Sequence, residues 1–413
     1  MSFNPNTLGR RLREARENCG LSQQVAADTI GVPRTGMTQL EAGNRAVSTL
    51  ELAQLAELYK RPVADFFRDN PLQEDDLLVA LHRLAPGLDA QSKIKEQVSR
   101  CLDLCREGCS LEKLLGRSLR SGPPSYSLPA PRTAGEAVRQ GEQVATQERK
   151  RLGLGHTPIA DMGELISEQG IWSSGVNLPD EMSGLFLHHP SIGLAILVNF
   201  SHVRGRKRFS YAHEYAHALL DRERTATVST GGNASELIEK RANAFAAAFL
   251  MPSDGVTEFL RGLDKGLPSR QEQAIFDVAT EGRIDTQLRP MPGSQVITHQ
   301  DMALLAHHFG VSYQAAVYRI KSLSWVSQPE CQKLLERELE GKRFLEFLRM
   351  SDDLDQPESR ERQERELKSQ VVHLAIEAYR REEISRGKLL DLSKKLERSG
   401  RKLIELAEAV KDN

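Results

Sequence analysis

Residues 209–220 read Phe209-Ser-Tyr-Ala-His-Glu-Tyr-Ala-His-Ala-Leu-Leu220 and contain the pattern HExxH. Alanine and leucine flank the histidines and no proline or glycine interrupts the run, so it predicts a buried helix. On a helix, His213 and His217 lie one turn apart on the same face. This spacing lets two imidazoles bind one Zn²⁺, while Glu214 between them can act as a general base on water. A bare HExxH also arises by chance, so the pattern needs support from the rest of the chain.

A second helix downstream can complete the set of metal ligands. Residues 238–252 are rich in alanine and end at Pro252, which stops a helix. A catalytic zinc site has three protein ligands and an open position. We therefore expect Glu239 as the third ligand and Asn243, one turn later, as the residue that orients a ligand. Glu236 is the competing third ligand, and an ordinary amphipathic helix pair with surface glutamates is the alternative for the whole pattern.

The two segments together resemble the ImmA/IrrE family of metallopeptidases over roughly residues 140–325. The resemblance implies a gluzincin-like site in which His213, His217 and Glu239 hold Zn²⁺. It also implies Glu214 as the base and a repressor protein as the substrate, cleaved in a stress response or during induction of mobile elements. Some members of the family act as transcription factors. The residues that carry the resemblance are Arg208, Phe209, Ser210, His213, Glu214, His217, Ala218, Leu219, Leu220, Glu239, Ala242, Asn243, Phe245, Ala246, Leu250, Met251 and Pro252.

The chain departs from this family inside the HExxH pattern. Tyr215 and Ala216 stand where the family commonly has leucine and glycine. Neither residue is a metal ligand, so the departure leaves the expected chemistry intact. The bulk of Tyr215 is nevertheless expected to narrow the cleft.

Residues 7–68 carry a helix-turn-helix pattern. Ser22 is a natural N-cap for one helix, Gly31-Val32 makes a tight turn, and Pro33 opens the next helix. A further helix begins at Ser48. The spacing is similar to that of the Cro/repressor class, the XRE family, and implies double-stranded operator DNA as the partner. A domain of this size reads DNA best as a homodimer on two half-sites.

The helix after Pro33 would present its side chains to base edges in the major groove. Arginine suits guanine there, and glutamine suits adenine. Gly36 departs from a good recognition helix, because glycine weakens a helix by roughly 1 kcal/mol relative to alanine. A small helical bundle used only for protein contact is the alternative. The residues expected at bases are Arg34, Thr35, Thr38 and Gln39, and those expected at phosphates are Gln23, Asn44 and Arg45.

Length and composition suit a multidomain protein of the cytoplasm. The chain of 413 residues is long enough for two or three domains. Its net charge of −1 gives no global basic field, so DNA binding needs a local surface. No apolar stretch approaches the roughly 18 residues of a membrane span, and the amino terminus lacks a secretion signal. Five cysteines, an odd number, indicate a reducing compartment.

Three of the cysteines, Cys101, Cys105 and Cys109, form one stripe of an expected helix from Ile94 to Leu115. Packing as small buried side chains is the favoured interpretation, because the stripe matches no standard metal spacing. Metal binding or the sensing of oxidants is the alternative.

The organisation predicted from these patterns is multidomain and mainly α. An all-α helix-turn-helix domain is followed by an α+β zincin-like domain of gluzincin type and a helical carboxyl-terminal region. The expected segments are 1–70 (DNA-binding domain), 71–135 (helical connector and Pro/Ser-rich linker), 136–260 (metallopeptidase domain), 261–330 (second helix-turn-helix-like helical region) and 331–413 (charged helices).

Two features inside these segments bear on function. Three β-like runs, 170–176, 182–188 and 193–200, supply a small sheet, and the last run is expected to hold substrate along its edge. Residues 298–323 look like a second helix-turn-helix. A structural or partner-binding role is favoured there, because exposed base-reading side chains are lacking.

Two functions of different class follow from these patterns. In the first, the protein is a working endopeptidase that cleaves a repressor, either itself or a partner. The DNA-binding domain then directs the protein to its target. In the second, the metallopeptidase fold is a sensor module of a ligand-responsive regulator. The intact HExxH together with Glu239 favours the first function.

Overall fold

The computed structural model divides the chain into two compact units, Met1–Arg83 and Leu84–Asn413. No helix among the described residues is long and apolar enough to cross a membrane. Parts of two expected segments, residues 71–90 of the connector and 351–364 of the charged region, lie outside the described residues. The structure describes residues 5–19, 21–59, 63–67, 91–117, 120–189, 192–223, 226–230, 236–267, 271–277, 282–288, 290–291, 293–348, 350 and 365–409.

The first unit is a helical bundle built around the predicted helix-turn-helix, which is confirmed. The hydroxyl of Ser22 accepts a hydrogen bond from the Val25 N–H at the start of the second helix, and Ser48 forms a capping box with Glu51 at the start of the fourth. Gly31 turns the chain with a φ of +68°, a left-handed conformation that glycine adopts without strain. The helices are α1 (Pro5–Asn18), α2 (Gln23–Thr29), α3 (Arg34–Glu41) and α4 (Thr49–Leu58), followed by a 3-10 turn at Val63–Phe67.

The second unit contains a mixed four-stranded sheet formed by β1 (Trp172–Val176), β2 (Met182–His189), β3 (Gly193–Asn199) and β4 (Ala226–Thr230). The strand order is β1-β3-β2-β4, with β1 parallel to β3 and the other neighbours antiparallel. The three strands predicted from the sequence are present, and β4 is an addition. Because β3 lies inside the sheet, the expectation that its edge holds a substrate is wrong. Among the described residues, β1 and β4 are the edge strands.

Helices cover this sheet and form the rest of the second unit. The helix that carries HExxH packs on β2 and β3, and two further helices, which hold Glu239 and Gly141, pack behind it. The helices are α5 (Gln91–Leu114), α6 (Ala134–Arg151), α7 (Met162–Glu168), α8 (Arg204–Leu220), α9 (Leu237–Leu250), α10 (Ser253–Gly262), α11 (His299–Phe309), α12 (Tyr313–Ser322), α13 (Gln328–Glu336), α14 (Glu338–Phe347), α15 (Arg365–Arg380), α16 (Arg386–Lys395) and α17 (Gly400–Ala409).

A close approach of two backbones fixes α9 behind α8. Gly141 on α6 faces α9, and a Cβ added there would lie 2.4 Å from the Arg241 carbonyl oxygen and 2.8 Å from the Phe245 nitrogen. Only glycine leaves room for this contact. The contact sets the position of α9 and therefore of Glu239.

The Pro/Ser-rich segment (residues 121–132) packs on the second unit. The Tyr126 N–H donates to the Leu219 carbonyl oxygen at 2.8 Å, and the Tyr126 hydroxyl donates to Glu148 at 2.8 Å. The Arg222 guanidinium donates to the Pro123 carbonyl. The segment therefore lies inside the second unit, at the end of α8, and is not a linker between the two units.

The cysteine stripe lies on α5, which packs against α15 and β1. Cys105 and Cys109 are buried, and burial raises the pKa of both thiols. A thiol with a raised pKa forms little of the reactive thiolate, so the arrangement favours the packing interpretation.

The segment 261–330 differs in one respect from its expected all-helical content. Residues Gln271–Asp277 (β5) and Gly282–Leu288 (β6) form an antiparallel hairpin. Isoleucine and threonine at positions 275, 284 and 286 suit strands, a local signal that the predicted helical organisation leaves out.

The second helix-turn-helix-like region is part of the core. Gly310, with a φ of +65°, ends α11, and Ser312 caps α12 through a hydrogen bond from the Ala315 N–H. Val317 and Ile320 on α12 are fully buried in the main hydrophobic cluster of the second unit. Burial of this helix face favours the structural role.

Replacing Gly141 with alanine is expected to destabilise the second unit. The added Cβ meets backbone atoms that cannot move aside, and overpacking of this kind costs roughly 1–3 kcal/mol. Thermal unfolding followed by circular dichroism measures the change. Gly135→Ala on the same helix is the control, because its Cβ meets only the flexible end of Arg139 at 3.6 Å. Equal unfolding temperatures for the two variants would contradict the close approach.

Candidate functional site

Helices α8 and α9 bring three ligand-type side chains together. The ligand atoms of His213, His217 and Glu239 all lie within 4.8 Å of one another. The His213 Nε2 atom is 3.1 Å from Glu239 Oε2 and 3.3 Å from His217 Nε2. All three side chains are buried. Glu236, the competing ligand, is exposed at the N-cap of α9 and stands outside this cluster.

The hydrogen bonds of the two imidazoles show what the cluster can hold. His213 Nδ1 lies 2.9 Å from Asn243 Oδ1, and His217 Nδ1 lies 2.8 Å from Asp221 Oδ2. Both partners are acceptors, so each Nδ1 carries the proton and each Nε2 of a neutral ring presents a lone pair. Two lone pairs and a carboxylate therefore point at one another. A metal cation suits such a set, and two imidazole nitrogens with one carboxylate are ligands that Zn²⁺ accepts.

Two further observations agree with a cation at this point. The Oε1 atom of Glu239 is buried and has no hydrogen-bond partner among the described residues. Burial lowers the pKa of His217, but the hydrogen bond to Asp221 and the nearby carboxylates outweigh it, so that the net pKa is raised. The cluster therefore attracts positive charge.

More residues orient the two histidines than Asn243, the one expected from the sequence. Asn243 lies beside His213, where it holds the ring. The ring of His217 is held by Asp221, which in turn accepts a hydrogen bond from Arg241 at 2.5 Å. Asp221 and Arg241 were missed by the sequence analysis, although Asp221 follows His217 by four residues and so shares its helix face.

Glu214 lies beside the cluster in a fully buried position. It is fully buried, and neither carboxylate oxygen has a hydrogen-bond partner among the described residues. Gly184 on β2 makes room for it, because a Cβ there would lie 2.8 Å from Glu214 Oε1. Burial raises the pKa of Glu214, against the opposing influence of His213 and His217. A carboxylate with a raised pKa and free oxygens is suited to accept a proton.

Tyr215 points away from the ligand cluster. Its ring packs against Phe245 and Phe249, and its hydroxyl donates to Glu148 at 2.5 Å. Glu148 also accepts hydrogen bonds from Tyr126 and Arg151. The expectation that Tyr215 narrows the cleft is therefore wrong, because its ring and hydroxyl are taken up by Phe245, Phe249 and Glu148.

In the first unit, α3 presents a polar face to solvent. Met37 and Leu40 are buried beneath it, which turns the opposite side of the helix outward. Glycine at position 36 lies near Val32 and makes no close backbone contact. The four residues expected at base edges, Arg34, Thr35, Thr38 and Gln39, are all exposed on this helix.

The residues expected at phosphates differ in how they are held. Asn44 is exposed. Arg45 forms an ion pair with Glu51 at 2.6 Å, and Gln23 donates to Glu41 at 2.8 Å and accepts a hydrogen bond from Thr38 at 3.3 Å. Gln23 and Arg45 are therefore positioned by the protein itself.

A buried ion pair lies beneath the surface formed by α3. Arg16 on α1 contacts both carboxylate oxygens of Glu41, at 2.6 Å and 3.0 Å, and donates to the Leu21 carbonyl at 2.8 Å. A bidentate pair of this geometry fixes the angle between two helices as well as their distance. It ties α3 to α1 and to the segment before α2.

Comparison with known proteins agrees with the two-part organisation. A family model described as a helix-turn-helix domain matches residues 7–66, and one described as an IrrE N-terminal-like domain matches residues 168–268. The search of curated proteins found no match. Among solved structures, the chain is similar to Bacillus thuringiensis PlcR in complex with the peptide PapR7 and DNA. That match has 11% identity over 98% of each chain and a TM-score of 0.15. The chain therefore joins an amino-terminal helix-turn-helix domain to an IrrE N-terminal-like domain.

Proposed function

We propose that this protein is a DNA-binding transcriptional regulator whose IrrE N-terminal-like domain is a zinc-dependent endopeptidase. The observation that carries the proposal is the convergence of His213, His217 and Glu239 beside the unpartnered carboxylate of Glu214. Three ligands from two packed helices with an adjacent base are the components of a hydrolytic zinc site.

Each residue has a distinct task in the proposed reaction. Bound Zn²⁺ would supply Lewis-acid polarisation of a peptide carbonyl and of water. Glu214 would accept the proton of the attacking water and return it to the nitrogen of the departing peptide. Asn243 and Asp221 would hold the two imidazoles in the tautomer that leaves Nε2 free.

The sheet offers a position for the substrate. Ser229 on β4 pairs with Gly184 on β2, the residue that contacts Glu214. We propose that an extended peptide adds to the outer edge of β4, the strand that pairs with the one contacting Glu214. We propose a repressor protein as this substrate, either the chain itself or a partner, in a stress or mobile-element response.

The proposal also covers partners and location. Double-stranded operator DNA would bind the exposed face of α3 as two half-sites, so the protein would act as a homodimer. We place the protein in the cytoplasm, where DNA is accessible and where cysteines such as Cys105 remain free thiols.

A second candidate function rests on the burial of the site. Glu214 and His217 are fully buried, and only 6% of the His213 surface is exposed. A peptide bond must reach this cluster for cleavage, whereas a sensor needs only to hold a metal ion or transmit a change. A ligand-responsive regulator with a non-proteolytic metallopeptidase fold is therefore the alternative.

The purified protein is expected to hold about one Zn²⁺ per chain, because the cluster supplies three ligands. His213→Ala combined with His217→Ala should abolish binding. Asp221→Ala should weaken zinc affinity by about 10–100-fold, because it releases the ring of His217. Metal analysis and chelator competition measure both effects. Asp391→Ala, on an exposed aspartate of α16, is the control, and full zinc content in the histidine variant would refute the ligand assignment.

Alanine at Arg34 or Gln39 is expected to weaken operator binding by roughly 1–3 kcal/mol each and to relax sequence preference, because these side chains reach base edges. Binding assays on the selected operator and on shuffled DNA measure both effects. Arg13→Ala on α1 removes an exposed arginine that pairs with Glu17 and serves as the control. A footprint that is unchanged in the Arg34 and Gln39 variants would exclude α3 as the recognition helix.

Glu214→Gln is expected to retain zinc while proteolysis falls by roughly 10²–10⁴-fold, because loss of a general base acts on the chemical step. In cells, the uncleaved repressor should accumulate and the target genes should stay uninduced. Zinc content, cleavage products and reporter expression are measured in parallel. Normal induction in this variant, with no cleavage product in the parent, would instead establish the sensor function.

A further inference from the structure

A cavity of about 560 Å³ lies in the second unit, apart from the ligand cluster. Its walls are one face of α6, the loop that follows, the end of α9, the start of α10 and the end of α12. Ala248 lines the cavity and follows Glu239 by nine residues, which corresponds to about 14 Å along a helix. The volume suits a small organic molecule.

The cavity is lined by a buried positive charge that has no counter-charge among the described residues. Arg149 lines the cavity and is 3% exposed. Its guanidinium donates to the backbone carbonyls of Phe249 at 2.6 Å, Thr157 at 2.6 Å and Gly155 at 2.9 Å, and no carboxylate of the described residues forms an ion pair with it. Burial lowers the pKa of Arg149 to about 10, so the group remains charged at neutral pH. The wall therefore carries a positive charge that is hydrogen-bonded to backbone carbonyls and has no carboxylate partner among the described residues.

A second buried guanidinium lines the same cavity. Arg319 on α12 is 4% exposed and donates to the Met251 carbonyl at 3.0 Å. It also forms an ion pair with Glu142 at 2.6 Å, so the charge of Glu142 is already neutralised. Lys150 adds an exposed ammonium group at the rim. Because Arg319 and Glu142 neutralise each other, Arg149 and Lys150 remain against one carboxylate, Asp254, and the lining keeps a net positive charge.

The start of α10 supplies hydrogen-bond donors to the same space. This ten-residue helix has Pro252 as its N-cap, which provides no side-chain hydrogen bond to the first turn. Backbone N–H groups at a helix start attract anions, because they are unpaired and lie at the positive end of the helix dipole. Pro252 and Ser253 both line the cavity, and Ser253 brings a hydroxyl. Asp254, exposed beside them, can accept a hydrogen bond from a bound molecule.

We propose that this cavity is a binding site for a small organic anion. Its carboxylate or phosphate group would lie at the start of α10, between Lys150 and Arg319. A hydroxyl or ammonium group of the same molecule would donate to Asp254. The site is distinct from the ligand cluster and from the DNA-binding face, so it gives the second unit a means to respond to a metabolite.

Isothermal titration calorimetry on the full-length protein tests the proposal. The probes are inorganic phosphate, glycerol 3-phosphate and succinate, at constant ionic strength. At least one should bind saturably with one site per chain, and the probe that binds distinguishes phosphate from carboxylate recognition. Lys150→Glu should weaken binding at least tenfold by reversing a charge at the rim. Thr146→Phe, an exposed position on the α6 wall, should do the same by filling the cavity.

Arg139→Glu is the matched control. It makes the same charge change on an exposed position of α6 outside the cavity, so it should bind the probe like the parent. Circular dichroism and the unfolding temperature establish that each variant is folded. Absence of saturable binding by all three probes would overturn the proposal. So would unchanged affinity in both cavity variants, or an equal loss in Arg139→Glu.

Discussion

Mutual repulsion among three acceptor atoms is the constraint on which the second unit depends. Two imidazole lone pairs and a carboxylate point at one another at distances of 3.1–3.6 Å. Such an arrangement is unfavourable by itself, so packing must hold it in place. The backbone contact at Gly141 positions α9, and Asn243 and Asp221 fix the rings on α8. The surrounding core therefore holds the three side chains in an arrangement that a cation would stabilise.

Local patterns carried most of what the sequence predicted. The four-residue spacing of the histidines, the one-turn spacing of Glu239 and Asn243, and the caps at Ser22 and Ser48 all depend on a few neighbouring residues. The family comparison supports the two-part organisation they imply. Strand order, by contrast, depends on contacts between distant segments. For this reason β3 was expected at an edge, β4 was missed, and the partner of Asp221 was not foreseen.

The first unit contains a buried pair of opposite charges, Arg16 and Glu41. A buried ion pair contributes little net stability against a hydrophobic replacement, because desolvation offsets its attraction. The directional hydrogen bonds of this pair instead fix how the two helices that carry it are placed. Arg16 and Glu41 link α1 to α3, and Gln23 extends the link to the exposed hydroxyl of Thr38. A side chain at the candidate DNA surface is thereby connected to the core through polar contacts, which favours one orientation of α3.

Glu148 gives the second unit a weakness in acid. Burial raises the pKa of this carboxyl, but hydrogen bonds from Arg151, Tyr215 and Tyr126 outweigh burial and lower it overall. Its contribution to folding is therefore complete above the pKa of the unfolded chain and is lost as pH falls through the lower, folded value. Tyr215 lies on the HExxH helix and Tyr126 lies on the Pro/Ser-rich segment. Acidification consequently loosens the HExxH helix and the Pro/Ser-rich segment together, through the protonation of a single carboxylate.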